Sequence, residues 1–183
     1  MKSKVIILRG PSGVGKSSVA RLLSELLGKK LKKVAYLPVD VSIYPFMRTH
    51  FKLSREERAA IMQENLESIM NNFLKRDFTI IIDGMFARKY KNKPTLERLV
   101  EIAKKYDVKT LIVELHAHIG ILHRRIEERV KKDLYAWKNP KKTERRYKRF
   151  MNSRYKDALV IETEKKSPKE IVKEIIKRKF SKK

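Results

Sequence analysis

The chain has 183 residues, 42% of them hydrophobic, which suffices for one sizeable α/β core and falls short of two full domains. Cysteine is absent, which excludes disulfides, thiolate catalysis and Cys-ligated zinc. Lysine and arginine number 46 against 21 acidic residues, a formal net charge of +25, so an anionic substrate or partner is expected. No run of about eighteen apolar residues occurs, and Met1-Lys2-Ser3-Lys4 leads directly into an apolar run. Neither a membrane span nor a cleaved signal is therefore predicted, and a cytoplasmic protein is expected. A single glutamine, Gln63, beside abundant lysine fits a thermophile's composition.

The first strand is predicted over residues 5–8, and the segment after it carries the most specific pattern in the chain. Gly10-Pro11-Ser12-Gly13-Val14-Gly15-Lys16-Ser17 matches G-x-x-x-x-G-K-[ST] at every fixed position. Glycines permit the tight turn that aims successive N–H groups at a phosphate, and the helix that follows adds its positive dipole end. A nucleoside triphosphate, ATP, is the expected ligand, with the loop from Gly10 through Ser17 and the following Ser18 around it. Lys16 is expected to reach the β- and γ-phosphates, and the Ser17 hydroxyl to ligate Mg²⁺.

A helix over 17–27 has a broad apolar face from Val19, Ala20, Leu22, Leu23, Leu26 and Leu27, with Gly28 in the position of a C-terminal cap. The second strand, 34–38, runs into Val39-Asp40. A carboxylate beyond that strand end can accept the proton of a hydroxyl attacking a γ-phosphate, although a turn-forming or capping Asp has the same spelling. Arg48, eight residues on, can grip the acceptor or a phosphate. Ser54-Arg55-Glu56-Glu57 spells a capping box that opens a helix to about residue 75.

A third strand, 79–82, ends in Asp83-Gly84. In parallel α/β sheets the ligand crevice lies beyond the carboxyl ends of the strands, so Asp83 is placed to join Ser17 around a metal. Asp-Gly is also ordinary turn chemistry. Arg88, just beyond, joins Asp40 and Arg48 as an acceptor-side candidate. A helix over 95–106 behind Pro94, a strand over 110–115, helices over 119–132 and 142–155 broken by Asn139-Pro140, a strand over 158–161 and a helix over 169–179 behind Pro168 complete the series. Strands alternating with helices predict a parallel sheet covered on both faces, in one domain spanning 1–183.

These residues resemble the small P-loop kinases that phosphorylate hydroxyl groups, the group containing adenylylsulfate, gluconate and shikimate kinases, chloramphenicol phosphotransferase, zeta toxins and the polynucleotide kinase domain. The likeness rests on the loop from Gly10 to Ser17. Asp40, Ile80-Ile81-Ile82-Asp83-Gly84, Leu122-His123-Arg124-Arg125-Ile126-Glu127-Glu128-Arg129 and Leu159-Val160-Ile161-Glu162-Thr163 support it. The resemblance implies a three-layer P-loop NTPase fold: a five-stranded parallel sheet flanked by helices, with a helical Arg-rich lid at about 120–156. It also implies an ATP- and Mg²⁺-dependent phosphotransferase with Asp40 on the acceptor side and Arg125 and Arg129 on the lid. Residues four apart share a helix face, so Arg125 and Arg129 point together and Arg124 elsewhere. Val39-Asp40-Val41-Ser42 and Asp83-Gly84-Met85-Phe86 depart from the adenylylsulfate and shikimate kinase patterns, which leaves the acceptor open.

From Ile121 to Lys156 the chain holds fourteen Lys/Arg against four Asp/Glu, with Trp137, Tyr147 and Tyr155 among them. Cations interleaved with aromatics can bind a nucleic acid, and they can equally be a solvated helix surface. Two enzyme readings therefore stand beside a third. They are transfer to a small-molecule hydroxyl, transfer to the 5′-hydroxyl of RNA or DNA, and a nucleotide-binding regulatory protein that hydrolyses slowly or not at all.

Overall fold

The computed structural model describes residues 4–39, 52–132 and 139–180. Asp40, Arg48 and Trp137 lie outside them. In chain order the elements are β1 (Lys4–Arg9), α1 (Lys16–Gly28), β2 (Val34–Pro38), α2 (Arg55–Leu74), β3 (Thr79–Gly84), β4 (Lys89–Tyr90), β5 (Lys93–Pro94) and α3 (Thr95–Lys105). They continue as β6 (Lys109–His116), α4 (Ile119–Lys132), α5 (Pro140–Met151), β7 (Leu159–Glu162) and α6 (Pro168–Phe180).

The principal sheet has the order β2-β3-β1-β6-β7, and every pairing in it is parallel. Sheets of this kind are covered on both faces, so their inner strands are continuous apolar runs. All six residues of β3 are buried, as are five of the six in β1. Alternation along β1 sends Ile6 and Leu8 to one face, against Val19 and Leu23 of α1 and Val172 and Ile175 of α6. Val5 and Ile7 go to the other face, against Leu66 and Met70 of α2 and Leu99 of α3. This is a five-stranded parallel sheet flanked by helices, the P-loop NTPase fold anticipated above.

Local signals set several boundaries. The capping box forms, with the Ser54 hydroxyl accepting from the Glu57 N–H at 3.1 Å and the Glu57 carboxylate accepting from the Ser54 N–H at 2.8 Å. Asn139 caps α5 by accepting from the Lys142 N–H. Gly28 is not a cap: it is the last residue of α1, and Lys29, in right-handed helical conformation, takes the cap position. α5 ends at Met151 rather than Tyr155, because Ser153 and Tyr155 are drawn into contacts with β1 and β6. The two-residue hairpin of β4 and β5 was not anticipated. Its turn puts Lys91 and Asn92 at φ 48° and 61°, the doubly left-handed geometry that matches strand twist.

Those contacts centre on a buried ion pair. The β1–β6 register sets Arg9 opposite Glu114, and the Arg9 Nη1 donates to Glu114 Oε1 at 2.7 Å, with the side chains 1% and 0% exposed. Arg9 also donates to the Ser153 carbonyl and hydroxyl and sits over the Phe150 ring. Glu114 accepts from the Tyr155 N–H at 2.8 Å, and His116 Nε2 lies 3.2 Å away. Burial works to raise the Glu114 carboxyl, but hydrogen bonds from His116 and the Tyr155 N–H, with the charge of Arg9, outweigh it and hold the group below the ordinary range.

A depressed carboxyl contributes stability that is present above its unfolded-state pKa and lost as pH falls through the folded one. Glu114→Gln leaves a buried guanidinium without its counter-charge and is expected to cost about 3–5 kcal/mol in urea denaturation at neutral pH. The variant should also lose less stability than the parent between neutral pH and acid. A parent and variant with parallel acid profiles would show that Glu114 does not carry this term.

Candidate functional site

The loop between β1 and α1 is shaped by close approach. A Cβ on Gly10 would lie 2.6 Å from the Leu115 carbonyl oxygen of β6, a backbone atom that cannot yield. Gly15, at φ 97°, occupies the N-cap of α1 in a left-handed conformation, and no side-chain cap bonds there, so the first N–H groups of the helix face the loop. Gly13 backs onto α4, where a Cβ would meet Ile126 at 3.0 Å and the Leu122 carbonyl at 3.1 Å. Lys16 folds its ammonium onto the Pro11 carbonyl at 3.0 Å. A cradle of this kind fits a phosphate chain, with backbone donors and one ammonium beside it.

Register delivers the acidic partner. Leu8 of β1 and Pro38 of β2 both pair with Asp83, so the carboxylate emerges beside the loop at the carboxyl edge of the sheet. The Ser17 hydroxyl donates to Asp83 Oδ2 at 2.7 Å, across 66 residues of sequence. Tyr36 of β2 donates to Oδ1 at 3.0 Å. Burial, with the adjacent Asp83 charge, pushes the Tyr36 phenol up to about 12. One hydroxyl and one carboxylate are hard oxygen donors of the kind that suit Mg²⁺. Among the described residues no group of three His, Cys, Asp or Glu could hold a metal by itself.

Beside the loop lies an open cavity of about 140 Å³ lined by Ser12 and Lys16, by Val39, by Ala59, Met62, Gln63 and Leu66 of α2, by residues 85–89, and by Thr95 and Arg146. Ser12, Lys16 and Arg88, named from the sequence, therefore meet at one space. Val39 lines it too, and its N–H bonds the Asp83 carbonyl at 3.2 Å. Arg125 and Arg129 are not among its lining residues. Arg125 donates to the Thr163 hydroxyl at 3.0 Å and carbonyl at 2.8 Å, tying α4 to the end of β7, and Arg129 is exposed. Arg124 is exposed and lies 3.9 Å from Glu128.

Arg146 belongs to the basic stretch read from the sequence, and it stands three residues after Thr143 and four before Phe150, the buried positions of α5, which puts it on the inner flank. Met62, Gln63 and Phe86 carry no local signal of a site. His116 faces Glu114, and the Glu164 carboxylate accepts from the backbone N–H of His118.

A family model described as AAA domain matches residues 5–155. Among solved structures, a gluconokinase from Sinorhizobium meliloti is similar at 18% identity and TM-score 0.66, covering 93% of this chain and 88% of its own. An APS kinase from Mycobacterium tuberculosis, solved with AMPPNP and APS, is similar at 20% identity and TM-score 0.64, covering 96% of each chain. The Pnkp1/Rnl/Hen1 RNA repair complex contains a chain similar at 18% identity and TM-score 0.63, over 83% of this chain and 45% of that one. No curated protein matches the sequence. Likenesses at these identities speak for the fold, and the match of the family model spans most of the sequence. With the glycine-shaped loop, the strand-end aspartate and the sheet order in agreement, the chain belongs to the AAA domain family and has the fold of the small P-loop kinase superfamily.

Proposed function

We propose that this protein transfers the γ-phosphoryl group of ATP to an alcohol hydroxyl held in the cavity beside the loop. The observation that carries this reading is that Ser12 and Lys16 line the same space as Met62, Phe86, Arg88 and Arg146. The end of a triphosphate and a second molecule would thus share one compartment. An NTPase that only hydrolyses or signals needs no such chamber.

In the reaction the acceptor oxygen attacks the γ-phosphorus, the bond from that phosphorus to the β,γ-bridging oxygen breaks, and ADP leaves. The hydroxyl proton goes to a carboxylate, for which the reading takes Asp40, one residue beyond the cavity-lining Val39. Lys16 moves from the Pro11 carbonyl to the phosphates, and Arg146 neutralises charge spreading over the transferring group. Arg125 can join only by leaving Thr163, and Arg129 would accompany it on the same face of α4. Ser17 and Asp83 would hold Mg²⁺, which would supply positive charge against that of the phosphates. Tyr36 orients the Asp83 carboxylate by its hydrogen bond.

An alcohol of metabolite size bound in the first compartment is the small-molecule reading. The terminal nucleoside of a nucleic acid is the other, and the surplus of cations favours it.

With labelled ATP, a panel of hydroxyl-bearing metabolites and 5′-hydroxyl oligonucleotides should reveal an acceptor, and Lys16→Ala should lower transfer by at least about a hundredfold. Asp40→Asn should cut kcat by roughly a hundredfold or more while ATP affinity holds. Full activity in that variant removes Asp40 as the base. Because the Tyr36 pKa is raised, its contribution to stability is present below about pH 10 and lost as pH climbs toward about 12. Ultraviolet titration should show one late tyrosinate that disappears in Tyr36→Phe and moves down in Asp83→Asn.

A further inference from the structure

Residues 86–89, between β3 and the β4–β5 hairpin, line two cavities. One is the compartment at Lys16. The second, about 270 Å³, is bounded on its far side by Leu96 and Glu97 of α3 and by Asn152, Arg154 and Tyr155 after α5. A metabolite reacting in the first compartment has no need of the second.

The shared wall is a fixed feature of the fold. Phe86 is held at φ 47°, its ring 2.8 Å from where a Cβ on Gly84 would stand. The Arg88 carbonyl accepts from both the Thr95 N–H at 3.0 Å and the Thr95 hydroxyl at 3.2 Å. Arg154 is half exposed, and its Nε lies 3.5 Å from Glu114, which orients the guanidinium at the far end.

Charge runs one way along both cavities. The described lining carries Lys16, Arg88, Lys89, Arg146 and Arg154 against one carboxylate, Glu97. Cations spread over two adjoining cavities suit an acceptor whose negative charges repeat along its length, where one carboxylate or phosphate would need only one of them. Aromatic surface recurs too, with Phe86 at the wall and Tyr155 beyond it, and flat rings accept stacked bases without sequence preference.

Building on the phosphotransfer reading above, we infer that the two cavities form one acceptor cleft for the 5′ end of a single-stranded nucleic acid. The terminal nucleoside, with its reacting 5′-hydroxyl, occupies the compartment at Lys16. Its 3′-phosphate meets Arg88 and Lys89, and the next nucleotide enters the second cavity against Tyr155 with its phosphate at Arg154.

The test uses the full chain, labelled ATP, and three acceptor types: a 5′-hydroxyl oligonucleotide, a nucleoside 3′-monophosphate and small anionic alcohols. The oligonucleotide should exceed the nucleoside 3′-monophosphate in kcat/KM by about tenfold, as one added stacking and phosphate contact implies. Lys89→Ala/Arg154→Ala should pull that ratio toward one. Loss of two phosphate contacts should also make the salt dependence of oligonucleotide affinity shallower by about 1.4 in log–log slope. Calorimetry with ATP verifies that the double variant is folded, and Lys89→Gln/Arg154→Gln serves if it is not. Equal efficiency for the two nucleotide acceptors, a better small anionic alcohol, or an unchanged salt slope overturns the inference. If ATP binds but no alcohol is ever labelled, the phosphotransfer reading fails. The salt slope then decides the cleft by itself, a shallower slope supporting it and an unchanged one overturning it.

Discussion

Immediately before the first glycine of the phosphate loop, Arg9 is locked into a buried pair with Glu114, and much of the functional edge of the molecule hangs from that contact. The pair joins the ends of β1 and β6. Through Ser153 and Tyr155 it also draws in the chain that leaves α5, and through Glu114 it reaches His116 and Arg154. Removing two charges from water is costly, and an apolar pair of similar volume could be as stable. What the ion pair adds is direction: a planar guanidinium with several donors accepts only partners in defined positions. The loop root, the end of β6 and the segment behind α5 are thereby brought to one place.

The carboxyl edge of the sheet is where these constraints meet. β1 stands between β3 and β6, so the loop that leaves it has a neighbouring strand end on each side. On one side β3 presents Asp83 to Ser17, and on the other Leu115 approaches so closely that only glycine fits at position 10. Chain crossing between parallel strands leaves a crevice at such an edge, and ligands of open α/β sheets lodge there. Tyr36 tightens the arrangement from β2 by bonding the second oxygen of Asp83. The Asp83 side chain therefore has a hydroxyl on each oxygen before any metal or nucleotide arrives.

Around this edge the polarity is uneven in a useful way. α2 supplies Met62 and Leu66, an apolar wall, while the segment after β3 and the inner flank of α5 supply cations. The formal charge of +25 acts at longer range, concentrating anions near the surface without specifying a site.

Local patterns were sufficient for the phosphate loop, the five strands and the helix start at Ser54, whereas α5 begins at Pro140, two residues before its expected start, with Asn139 as its cap and not a break. In each case the signal and the structure lie within a few residues of one another. The same holds for Asp83, whose strand-end position follows from the apolar run preceding it. Strand order, the partnership of Arg9 with Glu114 across 105 residues and the capture of Arg125 by Thr163 have no local spelling. Helix α5 stops short of its expected end for that reason: periodicity favours continuing, and distant hydrogen bonds to β1 and β6 stop it. The sequence alone determined the shape of the loop, because backbone turns and glycines are short-range matters. Which side chains surround the loop was decided only when the sheet closed in register, because those side chains come from strands and helices far apart in the chain.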